Sequence, residues 1–112
     1  MVERRDWTRA ELLVCLAVYA TLPSSERRVP PKRVLEHLAA VTGRTPGSIS
    51  LRFANFNSED PLFTSKGLSG MKGGGAHVHH IWTDFSNNEG ELQLATIVRE
   101  LVNLVPIDLD KK

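Results

Sequence analysis

Three residues, Gly43–Arg44–Thr45, separate two stretches that each carry apolar side chains at helical spacing. So short a joint forces the two helices to pack as neighbours. The upstream stretch, PKRVLEHLAAVTG, puts Val34, Leu35, Leu38 and Val41 on one side and predicts a helix over 31–42, with Pro31 in its first turn and Gly43 just past its end. Downstream, Thr45 is placed to cap a helix over 45–57 with Pro46 in the first helical position. At 100° per residue Ile49, Phe53 and Phe56 form its core face, while Gly47, Ser48, Leu51 and Asn55 point the other way and Arg52 flanks them.

A third helix precedes this pair. In WTRAELLV, Thr8 and Glu11 have the spacing of a capping box, and Trp7 is placed to staple against Leu12. Leu12, Leu13, Leu16, Ala17 and Ala20 then recur at helical spacing up to Pro23, which predicts a helix over 9–21. Residues 22–30 read as a polar connector. Beyond Asp60–Pro61, residues 62–80 hold five of the eight glycines and read as a long glycine-rich loop, closed by a short helical or turn segment at IWTDF. Asn88 and Glu91 resemble a second capping box, opening a last helix over 89–105 that Pro106 ends; the tail beyond it should fray. The expected fold is mainly α: a compact helical domain, single over 1–112, with a helix-turn-helix-like trihelical core, a long Gly-rich loop and a C-terminal helix.

Several function classes fall away. The longest apolar run, Leu12 to Ala20, is well short of the roughly 18 residues a membrane span needs. It lacks a signal-peptide cleavage pattern, so a cytoplasmic protein is expected. Cys15, the one cysteine, lies in that run and reads as a buried structural thiol. His77, His79 and His80 cluster without a cysteine or a second separated pair, which argues for a solvated or hydrogen-bonding loop and against a metal site. His37 reads as a surface residue. KGGGAH lacks P-loop spacing, no G-x-S-x-G occurs, and VHHIW lacks the later asparagine and histidine of an HNH site. No catalytic residue, metal or cofactor is implied.

Charge supplies the positive lead. Residues 1–56 hold nine Lys/Arg against five Asp/Glu, a balance of +4, whereas residues 57–112 hold five against eight, a balance of −3. A basic half suits phosphate, and helix, helix, capped helix is the order of a helix-turn-helix module. The candidate DNA-facing residues are Arg44, Thr45, Ser48, Leu51, Arg52 and Asn55. Asn55 and Arg52 are of base-reading type, while Arg27, Arg28, Lys32 and Arg33 would position phosphates. Lys72, Gly73, Gly74, His77 and His79 are candidate loop contacts. For Asn55 the alternative is an amide that ties down the Asp60–Pro61 loop; for Arg52 the alternatives are a phosphate contact and an ion pair with Glu36 or Glu59.

The sequence also carries a resemblance. WTRAELLVCLAVY, GSISLRFANFNSEDP, KGLSG and IWTDF occur in an order similar to the region ahead of the nuclease domain in McrA-like HNH endonucleases, over Trp7 to Phe85. Its pattern G-x-x-x-L-[KR]-x-A-N-F-x-x-x-D-P is met by Gly47, Leu51, Arg52, Ala54, Asn55, Phe56, Asp60 and Pro61. The resemblance implies an accessory domain that binds double-stranded DNA, senses a modified base and delivers a fused or separate nuclease. The HVHH segment departs from the pattern, and this sequence holds no HNH domain. GRTPGSI also resembles the approach to the third helix of Myb/SANT modules, some of which bind protein. The alternative function is therefore protein interaction or homodimerisation through the last helix and the glycine loop.

Overall fold

The computed structural model describes residues 6–68, 70 and 75–104. Within them the chain forms α1 (Arg9–Thr21), α2 (Ser24–Arg28), α3 (Lys32–Thr42), α4 (Pro46–Asn57), α5 (Pro61–Thr64), α6 (Gly75–Asp84) and α7 (Leu94–Leu104), with no strand among the described residues. The mainly α expectation holds. No described helix is long and apolar enough to cross a membrane.

The capping chemistry read from the sequence sets the first boundaries. The Glu11 amide donates to Thr8 Oγ1 at 3.1 Å and the Thr8 amide to Glu11 Oε1 at 3.0 Å, which completes the capping box of α1. Gly43 closes α3 in the left-handed region at φ 77°, where a side chain would be strained, and its amide donates to the Ala39 carbonyl. Thr45 caps α4 by accepting from the Ser48 amide at 3.1 Å.

α1 is the central element, packed against α3, α4, α6 and α7. Its Leu13, Leu16 and Tyr19 are fully enclosed, together with Leu38 of α3, Ile49, Phe53 and Phe56 of α4, Ile81 of α6, and Ile97 of α7, with Trp82 of α6 buried beside them. The Tyr19 ring meets Phe53, Phe56 and Trp82 edge-on, with centroids 5.2–5.8 Å apart. Such contacts add about 0.5–1.5 kcal/mol each beyond area burial. At the other end of α1, Arg9 pairs with Glu100 of α7 and with Asp84 of α6, and its guanidinium lies over the Phe85 ring.

The structure corrects five expectations of local structure. The connector 22–30 contains α2, and Pro31 caps α3 from outside the helix instead of occupying its first turn. Residues 62–80 are interrupted by the end of α5 and the start of α6, and the first four residues of IWTDF complete α6. The last helix opens at Leu94, not 89: Asn87, not Asn88, accepts from the Glu89 and Glu91 amides, and Gly90 at φ 80° turns the chain back so that Gln93 donates to Phe85. Val41, expected on the core side of α3, is 57% exposed. The short helices were hidden because four or five residues show no periodicity, and the Asn87 turn because Asx-turn and N-cap signatures share residue types. The expected end of the last helix at 105 and the fraying tail lie outside the described residues.

Candidate nucleic-acid interface

α3, the Gly43–Thr45 joint and α4 form a packed helix pair, and α1 contacts both. α4 has two different ends. Over its first two turns, Thr45, Pro46, Gly47 and Leu51 are exposed and Ser48 is half-buried; Leu51 keeps 47% of its surface in solvent. A Cβ built on Gly47 meets nothing within 4 Å. Because Pro46 has no N–H and Thr45 takes that of Ser48, Gly47 supplies the open amide of the first turn. The helix end therefore presents fewer anion donors than an uncapped one.

The second half of α4 is closed. Asn55, expected to face outward as a base reader, is only 4% exposed and accepts from Arg52 Nη1 at 2.9 Å. Here Gly70 lies against the helix: a Cβ at that position would fall 2.3 Å from the Ala54 carbonyl oxygen and 2.8 Å from the Ser58 amide. The returning chain thus covers this side of the helix. Asn57, which the sequence reading did not single out, donates to the Tyr19 hydroxyl, the Arg27 carbonyl and the Phe53 carbonyl at 3.0–3.2 Å.

At the centre of that network sits Asp60, 2% exposed. Its Oδ2 accepts from the Tyr19 hydroxyl at 2.7 Å and from Arg27 Nη1 at 3.1 Å, and its Oδ1 caps α5 through the Leu62 amide at 3.0 Å. Burial, followed by the Asp60 bond and charge, pushes the Tyr19 hydroxyl far above its ordinary range, so it stays protonated as the donor. Arg27, expected to position phosphate, is turned inward. It donates to the Leu22 and Ala20 carbonyls at 2.9 and 3.1 Å and lies 5.0 Å over the Tyr19 ring. Those carbonyls are left open where α1 ends, and a buried carboxylate stands beside them; both draw the guanidinium in.

Arg44 is likewise internal. Its Nη2 donates to Glu11 Oε1 and to the Asp6 carbonyl, each at 2.8 Å, and its guanidinium carbon is 4.7 Å from the centroid of the Trp7 ring. The Arg52 guanidinium carbon lies 5.3 Å from the same centroid. Arg52 pairs with neither Glu36 nor Glu59, and no carboxylate of the described residues is its partner. Burial, then the neighbouring Arg44 charge, lowers its pKa. Trp7 is the element that sequence reasoning missed: its position before the Thr8 cap pointed to a staple, while the second ring partner, Arg52, lies 45 residues away.

Among the other candidates, Lys32 and Arg33 are exposed at the start of α3, with Glu36 and Glu26 each 3.8 Å away. Arg28 donates to Asn57 Oδ1 at 3.0 Å and lies 5.3 Å over the Phe63 ring. His77 is exposed on α6, and His79 Nδ1 is 2.9 Å from Glu59 Oε1, which joins α6 to the turn before α5. Lys72, Gly73 and Gly74 lie outside the described residues. No group of three or more metal-ligating side chains is formed among the described residues. Cys15 is buried, and desolvation followed by the Glu11 charge pushes its thiol up to about 12, so it is not a poised nucleophile.

The McrA-like pattern can now be read as geometry. Phe56, Asn55 and Asp60 are interior, Pro61 opens α5 under the Asp60 cap, and Leu51 alone of its larger apolar residues is exposed. No protein-family model matches the chain, and no curated protein or solved structure matches it either.

Proposed function

We propose that this chain is a non-catalytic double-stranded DNA-binding domain in which α3 supports α4 and the first two turns of α4 enter the major groove. The observation that carries the reading is the division of α4: one half is locked into a buried polar network, while Thr45, Gly47, Ser48 and Leu51 are left open beside Arg52. Gly47 lets a sugar-phosphate backbone or base edge approach closely, and the hydroxyls of Thr45 and Ser48 suit either kind of contact. Lys32 and Arg33 open α3, 11 residues before the joint, or roughly 16 Å of helix at 1.5 Å per residue, which suits flanking phosphates. With Arg27, Arg44 and Asn55 serving the fold, the proposed surface is Thr45, Gly47, Ser48, Leu51 and Arg52, flanked by Lys32, Arg33 and Arg28.

The resemblance to the region ahead of McrA-like nuclease domains extends the proposal to a cytoplasmic restriction system, in which this domain reads DNA and a fused or separate nuclease cuts it. The exposed Leu51 side chain would then be the contact for the methyl group of a modified base. The test is binding of the purified protein to a fluorescent duplex at several salt concentrations, with unmodified, cytosine-methylated and adenine-methylated versions. Affinity that falls with salt and differs between duplexes is expected. Equal affinity for all three removes modification sensing, and no binding at low salt overturns the DNA reading.

A second reading rests on α7, where Leu94, Val98 and Val102 recur at four-residue spacing with 37–50% of their surface exposed. A homodimer or protein partner on this stripe is the alternative. Self-association in sedimentation, unaffected by DNA and abolished by Val98→Glu, would favour it.

A further inference from the structure

Two arginines share the Trp7 ring, and their surroundings differ. Arg44 is neutralised within the fold by Glu11. Among the described residues Arg52 has a single hydrogen-bond acceptor, the uncharged Asn55 amide oxygen, and its Nε, like that of Arg44, is buried without an acceptor. An arginine side chain unsatisfied by its surroundings would ordinarily extend into water, since its stem is long and its rotamers many. Here the indole face and the Asn55 amide hold the guanidinium in one plane, next to a second cation. The arrangement keeps a positive charge partly desolvated with no anion of the described residues paired to it.

We propose that Arg52 is a preformed site for a phosphate oxyanion and that Trp7 is its positioning residue. The inference rests on the DNA-binding reading, under which the oxyanion belongs to the DNA backbone and Arg52 reads no base. Three features favour this role. Because Nε is buried, the side-on Nε/Nη2 fork is closed, and the remaining Nη hydrogens can meet a phosphate oxygen without needing the plane of a base. Thr45, Ser48 and Arg52 follow one another along one side of α4 at spacings of three and four residues, so the charge continues the line of hydroxyls. An oxyanion would also supply the counter-charge that Arg52 lacks and relieve its repulsion by Arg44. A site whose rotamers are fixed before the ligand arrives loses less entropy on binding than a mobile surface lysine would.

The experiment follows the side-chain Nε–H resonance of Arg52 in the whole protein by ¹H–¹⁵N NMR, assigned by its loss in Arg52→Lys. The protein is titrated with a short duplex at low salt and, separately, with inorganic phosphate. A saturable shift of this resonance with the duplex is expected. In parallel, Arg52→Gln should reduce the slope of log K against log salt by about one, on every duplex alike, while the charge-matched control Arg99→Gln on α7 leaves it unchanged. Trp7→Leu should keep the slope and weaken binding about two- to fivefold, with Trp7→Phe restoring much of the loss. If the wild type binds duplex and Arg52→Gln keeps the full slope, the inference fails while the DNA reading stands. If no duplex binds but phosphate moves the resonance, the oxyanion site stands for a small anion and the DNA reading fails. If neither ligand moves it, both fail.

Discussion

The two ends of α4 carry the same kinds of side chain and use them in opposite ways. At its C-terminal end Asn57 and, from α2, Arg27 are desolvated, and their side-chain polar atoms find partners in Tyr19, Asp60, Arg28 and backbone carbonyls. At its N-terminal end Thr45 and Ser48 satisfy only the cap, Leu51 faces solvent, and Arg52 has an aromatic platform but no acid. The lesson is that residue type does not set the role of an arginine or an asparagine. What sets it is whether other chain segments close over the position, because a buried polar group must be paired whereas a wet one need not be.

Breaking the closed end should give the largest effect. Asp60→Ala removes the acceptor of Tyr19 and Arg27 and the cap of α5 together, and a loss of about 3–5 kcal/mol is expected in chemical denaturation. Alkaline pH tests the same interior. Burial pushes the Cys15 thiol up to about 12 from its ordinary range near 9, and it raises the Tyr19 hydroxyl too. The unfolded chain therefore releases these protons first, so their contribution is complete below about pH 9 and is lost as pH rises toward 12. Each unit of pH within that window costs about 1.4 kcal/mol per group. Denaturation midpoints measured between pH 8 and 11 should fall, and Cys15→Ala should flatten the cysteine part of the decline.

Gly70→Ala should follow in size. Its methyl group would meet the Ala54 carbonyl and the Ser58 amide, both backbone, so Gly70 must move away from α4. A loss of about 1–3 kcal/mol is expected by thermal melting. Gly47→Ala sharpens the contrast from the open end, since its methyl group enters empty space. Stability should rise by up to about 0.5–1 kcal/mol while duplex affinity falls, and a variant that gains stability and keeps full affinity would remove close approach at Gly47 from the proposed interface.

The comparison also shows how far the sequence could be read. Thr8, Glu11, Gly43, Thr45 and Pro46 act within three or four residues of themselves, so the ends they set were legible: α1 and α4 match their predicted bounds, apart from the capping Thr45 itself, and α3 differs at its first residue. Ile49, Phe53 and Phe56 followed from periodicity and are fully enclosed. In the candidate site, Thr45, Ser48, Leu51, Lys32 and Arg33 remain accessible as expected. Arg27 and Arg44 do not, because their partners, Asp60 and Glu11, come from remote parts of the chain, and Asn55 does not, because it is buried and its amide oxygen is taken by Arg52.

By itself, then, the sequence determined the bounds of the capped helices α1, α3 and α4 and most of the apolar residues they turn inward, since capping bonds and apolar periodicity act over a few residues. Only the tertiary structure decided which polar groups are consumed and which are offered. It folds Arg27 onto Asp60 across 33 residues, lays Gly70 over one half of α4, and brings Trp7 beneath Arg52. A side chain's solvent and counter-charge are properties of what packs around it, and no local pattern encodes those.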